Sequence, residues 1–224
     1  MKAMDVMVRD VVTVTPSDKI SDAIRLLAEH DVSALPVVNH DKTVVGIISE
    51  ADLLHREEIG TEKQRSWWLE AMTPATTLAA EFAKSHGRRV EEIMSTDIIS
   101  ASEDTPLGEI ATLLEKHRIK RLPILRDGKL VGIVSRSNLI QALASLQSKT
   151  AKVPDSDRKI RLELLDRLRE QDWTDFGERN VIVSDGVVHL WGLVSSREEH
   201  KALLALAESV PGVVDVSDEM IPAY

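Results

Sequence analysis

Short apolar runs alternate along this chain with longer stretches in which apolar residues recur every three or four positions, and the sequence of patterns occurs twice before residue 150. In the first copy a β-branched run, Val11–Val14, leads into a turn at Thr15-Pro16. Ile20, Ala23, Ile24 and Leu27 then share one face of an expected helix, the period of a half-buried amphipathic element. Two apolar runs follow, Leu35–Val38 and Val44–Ile48, parted by the turn residues Asn39-His40-Asp41, and a last helix is expected from Ser49. The second copy shows Ile98–Ser100, a turn at Ser102-Glu103, a helix, and two strands around Asp127-Gly128, a strong two-residue hairpin signal, before a helix from Ser135. Each copy therefore reads strand, helix, strand, strand, helix.

The copies also match residue by residue. Met7/Met94, Asp10/Asp97, Leu26/Leu113, Leu27/Leu114 and His30/His117 pair at a spacing of 87 residues. After one deleted residue, Leu35-Pro36 aligns with Leu122-Pro123, Gly46 with Gly132 and Ser49 with Ser135. Internal self-similarity of this kind sets the architecture before any single element does. The copies occupy residues 1–56 and 91–147, with a mostly helical insertion at 57–90 and a linker at 148–154. The insertion carries an adjacent pair, Trp67-Trp68, with two readings: a dimer or partner surface, where tryptophan is enriched, or a cover over a sheet edge.

From residue 155 to 224 the pattern is different. Ile160, Leu164 and Leu168 recur at helical spacing, and Val181–Val183 and Val187–Leu190 flank the hairpin turn Ser184-Asp185-Gly186. Ser196 and Glu199 form a capping box for a helix with Leu203, Leu204 and Ala207 inward, and Pro211-Gly212 turns into a last strand, Val213–Val216. The predicted order is αββαβ.

The segments LPVV and LPIL, followed by GIISEAD and GIVSRSN, make each repeat resemble a CBS motif, and the tandem resembles the CBS pair called a Bateman module. DGVVHLWGLV, the helix after it and VPGVVDV resemble a BON domain, with Gly186, Gly192 and Gly212 in the places of that family's glycines. His189 and Trp191 depart from it, standing where small hydroxyl residues are common; Trp191 reads either as a surface anchor or as core. The resemblance implies an α/β (α+β) fold. Two pseudo-symmetric CBS repeats (β-α-β-β-α) would pack through their sheets, beside a small αββαβ BON domain.

The CBS resemblance also implies an adenosine-containing ligand held where the repeats meet. The family's signature falls on Gly46, Ile47, Ile48, Ser49 and Asp52, and again on Gly132, Ile133, Val134, Ser135 and Asn138. An acid at the last position can accept both ribose hydroxyl hydrogens, a role that suits Asp52; the amide of Asn138 is a weaker, uncharged acceptor. Ile47, Ile98 and Ile99 would line the adenine slot, and Lys120, Arg121 and Arg136 would meet phosphate. The first repeat has Ser33-Ala34 where the second has Lys120-Arg121, so one competent phosphate-nucleotide site and one weak site are expected. A second reading stands beside each assignment. Ser49 and Asp52 also suit a helix cap with an acid in the first turn, and Lys120-Arg121 also suit a solvated cationic edge. The expected ligand is a regulator and no obligatory cofactor: AMP, ADP, ATP, NAD and S-adenosylmethionine all present an adenosine.

Composition narrows the function classes. The absence of cysteine excludes disulfides, cysteine-zinc sites and thiol catalysis. A net charge of -9 disfavours general nucleic-acid binding. From residue 155 onward fifteen acidic residues face eight basic ones, so most of that charge belongs to the BON-like segment and opposes binding to anionic lipid. No apolar run approaches the roughly 18 residues of a membrane helix, and the N-terminus lacks a signal-peptide pattern, which sets a cytoplasmic expectation. Paired carboxylates, nucleophile–base motifs and phosphate-binding glycine loops are missing, so no enzymatic activity is expected. The expected partners are an adenine nucleotide, a second copy of the chain through the CBS repeats, and a protein for the BON domain, without nucleic acid or membrane. The expected function is a nucleotide-binding sensor. The alternative is a ligand-independent scaffold, or an envelope-stress protein acting through the BON domain.

Overall fold

Backbone N–H and C=O groups removed from water need partners, and that need decides which apolar runs of this chain become sheet. The computed structural model describes residues 1–54, 74, 86–145 and 155–224. Trp67, Trp68, most of the expected insertion and the linker at 148–154 lie outside the described residues. Backbone contacts divide the chain into two compact units, one formed by Met1–Asp10, Ser100–Leu125 and Val131–Tyr224, the other by Val11–Ile99 and Arg126–Leu130.

A one-turn helix, α1 (Ala3–Val6), opens the chain in the first of these units. The other unit starts with α2 (Ile20–Glu29), which buries Ile20, Ala23 and Leu27. Ile24, expected inward with them, is 47% exposed, because at 100° per residue it falls on the flank of that stripe. Strands β1 (Ala34–Val38) and β2 (Val44–Ser49) pair antiparallel from Ala34↔Ser49 to Val38↔Val44, with a register slip at Val37/Val38. Helices α3 (Glu50–Leu53) and α4 (Val90–Ile93) complete the described elements. The expected strand at Val11–Val14 shrinks to a single parallel bridge between Val14 and Val37. The chain turns away immediately, at a loop in which Asp18 accepts the N–H and hydroxyl of Thr15.

In the unit that holds most of the second repeat, the first strand lies just beyond the expected Ile98–Ser100: β3 (Ala101–Ser102) runs parallel to β4 (Arg121–Arg126). Helix α5 (Leu107–Lys116) stands between them in the chain, and β5 (Lys129–Ser135) and α6 (Arg136–Ser145) follow. Asp127 and Gly128 both have positive φ, 51° and 77°, the type I′ geometry their sequence called for.

The C-terminal domain is α7 (Asp155–Arg169), β6 (Val181–Ser184), β7 (Val187–Val194), α8 (Arg197–Glu208) and β8 (Asp215–Pro222). Its sheet order is β6-β7-β8, antiparallel then parallel. Ile160, Leu164, Leu168, Leu190 and Leu203 are among its buried core. The last strand begins later and runs further than Val213–Val216. Val213 and Val214 are still in the turn, bonded to Val210 and Gly186, and the ladder then follows β7 for its full length to Pro222. Gly192, expected at a strand exit, sits inside β7 at φ +132°, where a Cβ would lie 2.5 Å from Asn180 Nδ2.

The repeats exchange their leading segments. Val8, in the leading segment of repeat 1, trades backbone hydrogen bonds of 3.0 and 2.9 Å with Ile133 on β5 of repeat 2. Ser95, which precedes the body of repeat 2, trades two of 2.9 Å with Ile47 on β2 of repeat 1. In both places a strand glycine makes room for a methionine. A Cβ on Gly132 would lie 2.7 Å from Met7 Sδ, and one on Gly46 would lie 2.5 Å from Met94 Sδ.

Candidate functional site

Both signature segments form the same local structure, a strand that ends on a serine and turns straight into a helix. In the first, Ser49 is the N-cap of α3. Asp52 Oδ2 accepts the Ser49 N–H at 3.0 Å and the Ser49 hydroxyl at 2.8 Å, while Oδ1 accepts the Ser95 hydroxyl at 3.3 Å. In the second, Asn138 Oδ1 accepts the Ser135 N–H at 2.9 Å and its hydroxyl at 2.7 Å. The capping reading of the Ser-x-x-Asp spacing is thus realised at both sites, with a carboxylate at one and an amide at the other. Asn138 is buried and Asp52 half-buried, which leaves the charged member of the pair within reach of solvent.

The remaining expected residues divide between the units. Ile47, Ile98 and Ile99 belong with Asp52; all three are half-buried, and Ile98 and Ile99 lie outside any strand. Lys120, Arg121, Ser135 and Arg136 belong with Asn138. Lys120 is exposed at the end of the α5–β4 connection, its carbonyl accepting the Arg136 N–H at 3.1 Å. Arg136 directs Nε to the Ile119 carbonyl at 3.1 Å and Nη2 to the Leu114 carbonyl at 3.4 Å, so its guanidinium covers the end of α5. Arg89, a cation of the insertion's end, donates to the Ser17 carbonyl at 2.9 Å.

Ser95 was not singled out by sequence reasoning, although it touches the signature acid. Its only signal was its place one residue beyond Met94, a repeat-matched position. Met7 and Met94 were legible as matches between the copies, but their fit over Gly132 and Gly46 was not.

In the BON-like domain, the sheet controls what a partner can reach. Ala223 donates its N–H to Val194 on β7, so the N–H groups of residues 216, 218, 220 and 222 point to the free side of β8. Asp215 Oδ1 accepts that of Val216 at 2.9 Å, Asp218 Oδ1 accepts that of Met220 at 3.1 Å, and Pro222 has none. Three of these four positions are closed, and this edge is protected against strand addition. His189 is buried with Nδ1 at 3.0 Å from Glu219 Oε1, which also accepts the Ser217 hydroxyl at 2.7 Å. Trp191 is half-buried in β7. Among the described residues no helix is long and apolar enough to cross a membrane, and no group of three His, Asp or Glu is placed to hold a metal ion.

Comparison with known proteins gives a consistent picture. Residues 3–58 and 90–145 match the CBS domain and residues 156–221 match the BON domain. The chain is 32% identical over 143 residues to "CBS domain-containing protein CBSX2, chloroplastic" of Arabidopsis thaliana, which covers 61% of this chain and 60% of that one, so it spans less than two thirds of that relative. It is 34% identical over 154 residues to an uncharacterized protein of Methanocaldococcus jannaschii, MJ1426, covering 64% of this chain and 91% of that one. The crystal structure of CBSX2 in complex with AMP superposes with a TM-score of 0.57 at 30% identity, over 66% of this chain and 99% of that chain.

Proposed function

Because the chain belongs to the CBS domain family, with two CBS repeats followed by a BON domain, we propose that it is a regulatory protein that binds an adenine nucleotide at its signature residues and reports occupancy through its BON domain. The observation that carries this reading is the likeness to CBSX2, solved with AMP, joined to the half-buried carboxylate of Asp52 at the head of α3. Asp52 accepts ribose hydroxyls, Ile47, Ile98 and Ile99 flank the base, and Lys120 and Arg121 meet phosphate. Arg136 stands beside them, its guanidinium held by the carbonyls of Leu114 and Ile119. Asn138, a neutral acceptor buried against Ser135, supports the weaker of two sites. The chain itself is non-catalytic and resides in the cytoplasm.

Occupancy regulates only if two states bind the ligand unequally. A second copy of the chain is one carrier of such states. Ile140 and Leu143 on α6 are 66% and 69% exposed beside an apolar groove that Leu107, Ala111 and Leu139 line, a face that dimerisation would cover.

The test is thermal unfolding of the wild type and Asp52→Ala against AMP, ADP, ATP, NAD and S-adenosylmethionine at about 1 mM. A ligand with a Kd near 10 μM is then in about 100-fold excess and adds about 2.7 kcal/mol. A rise in Tm of several degrees with one ligand, lost in Asp52→Ala, is the expected result. A flat response from folded wild-type protein refutes the nucleotide reading.

A further inference from the structure

The BON domain is fastened to the first ten residues of the chain by charged side chains that the nucleotide reading does not use. Glu178, 7% exposed, opens the short 3-10 turn Glu178–Asn180 before β6. Its carboxylate accepts the backbone N–H of Arg9 and that of Asp10, the latter at 3.0 Å. The guanidinium groups of Arg9 and Arg169 stand 3.7 and 3.5 Å from its other oxygen. Arg161, 4% exposed on α7, donates to the carbonyls of Val181 at 2.9 Å, Glu178 at 2.8 Å and Met7 at 3.3 Å. Burial lowers its pKa to about 10, so it remains charged at neutral pH. Arg158, also on α7, pairs with the buried carboxylate of Asp5 at 2.6 Å.

The same ten residues are held by repeat 2. Val8 is bonded in both directions to Ile133, and Met7 fills the space over Gly132, both on the strand that ends in Ser135. The segment also lies at a junction. Asp10 is its last residue in this unit, and Val11 is the first residue of the unit that contains Asp52. Glu178 therefore grips the backbone at the point where the chain passes from one unit to the other.

We infer that residues Met1–Asp10 are a coupling strap and that Glu178 is its latch, transmitting movement at the CBS repeats to the BON domain. The signal rests on the nucleotide reading; the latch does not. A carboxylate that is itself buried and holds two N–H groups cannot loosen gradually, because on release its own charge loses donors where little water reaches it. The strap is thus either engaged or released, the kind of element that can bias a domain between two states.

Hydrogen exchange of the full chain separates the two claims, using the wild type, Glu178→Gln and Arg158→Ala, each with and without 1 mM AMP. Without ligand, Glu178→Gln replaces a charged acceptor by a neutral one. Exchange in a peptide spanning residues 5–11 should then quicken about tenfold, while β7 keeps its protection. Unchanged exchange at 5–11 overturns the latch. If β7 protection is lost as well, Arg158→Ala decides, since it removes the pair by which α7 holds Asp5 of the strap: faster exchange at 5–11 over an intact β7 supports the strap, and no change overturns it. With AMP, the wild type should change exchange at both Ser49–Asp52 and β6, and Glu178→Gln at Ser49–Asp52 alone. A β6 response that survives in Glu178→Gln overturns the coupling. A wild type that responds nowhere to AMP, nor to ADP, ATP, NAD or S-adenosylmethionine in its place, overturns the nucleotide reading, and the ligand-free comparison still decides the latch.

Discussion

Asp52→Asn separates the two jobs of the signature acid, and the protein contains its own control. At Asn138 an amide oxygen already accepts an N–H at 2.9 Å and a hydroxyl at 2.7 Å from Ser135, the same pair of bonds that Asp52 takes from Ser49 at 3.0 and 2.8 Å. An asparagine at 52 therefore keeps the cap, and the change should cost less than about 0.5 kcal/mol, most of it the weaker bond from Ser95. Asp52→Ala removes the cap altogether and should cost about 1 kcal/mol. Ligand affinity responds differently. A carboxylate accepts from both ribose hydroxyls, whereas an amide offers one oxygen and a donor, so Asp52→Asn loses about 1–3 kcal/mol of binding, roughly a factor of 10 to 100 in Kd. Calorimetric titration with AMP and thermal unfolding of the same samples read the two quantities side by side. Wild-type affinity in Asp52→Asn would refute the ribose role and leave Asp52 as a helix cap alone. A loss of stability in Asp52→Asn equal to that of Asp52→Ala would refute the capping equivalence instead.

Gly46→Ala and Gly132→Ala should each destabilise by about 1–3 kcal/mol through the clash with Met94 or Met7. In urea titrations, pairing each with Met94→Ala or Met7→Ala should cost less than the sum of the two single changes, and strict additivity would refute the contact. Asp157 is buried and accepts the N–H groups of Asp185 and Gly186 at 2.8 and 2.9 Å, so Asp157→Ala should cost about 2–4 kcal/mol in denaturant unfolding, with Asp157→Asn milder. At Glu199, partial burial raises the carboxyl pKa, but the Ser195 N–H and the Thr174 hydroxyl outweigh it and hold the group below its ordinary value of 4.5. Its contribution is complete above pH 4.5 and is lost as pH falls through the lowered folded value. The Tm gap between wild type and Glu199→Gln should therefore be small at pH 7 and close on acidification, and a gap that widens would refute the sign. Ile140→Asp combined with Leu143→Asp should turn the proposed dimer into a monomer in sedimentation; an unchanged dimer would place the interface elsewhere, and a monomeric wild type would refute the dimer.

The readings that survived into the structure are those whose cause is local. The period of Ile20, Ala23 and Leu27 marks a buried helical stripe whatever lies opposite. Asp127-Gly128 and Asp185-Gly186 specify type I′ turns, since both residues must reach positive φ, and both pairs do. The match between copies separated the repeats from the αββαβ domain, and Ser-x-x-Asp was legible as a cap. Errors fell where a neighbour decides. Val11–Val14 has the composition of a strand, yet only Val14 meets a partner. Val213 and Val214 look like strand and belong to a turn, while the acidic segment Asp215–Pro222 is strand because all of β7 lies beside it.

The amino-acid sequence by itself determined the repeats, the helix-strand-strand-helix order within them and the charge difference between Asp52 and Asn138, because these follow from residue type and spacing; the family resemblance marked those two as signature positions. Only the tertiary structure decided that Met7 and Met94 cross over to fill the space above Gly132 and Gly46, and that Glu178 and Arg161 close on residues 7–10. Those contacts join residues some 50 to 170 positions apart. A carboxylate or a guanidinium in a sequence shows its charge but not its partner, and it is burial beside a particular backbone that turns it from a solvated surface group into a fastening.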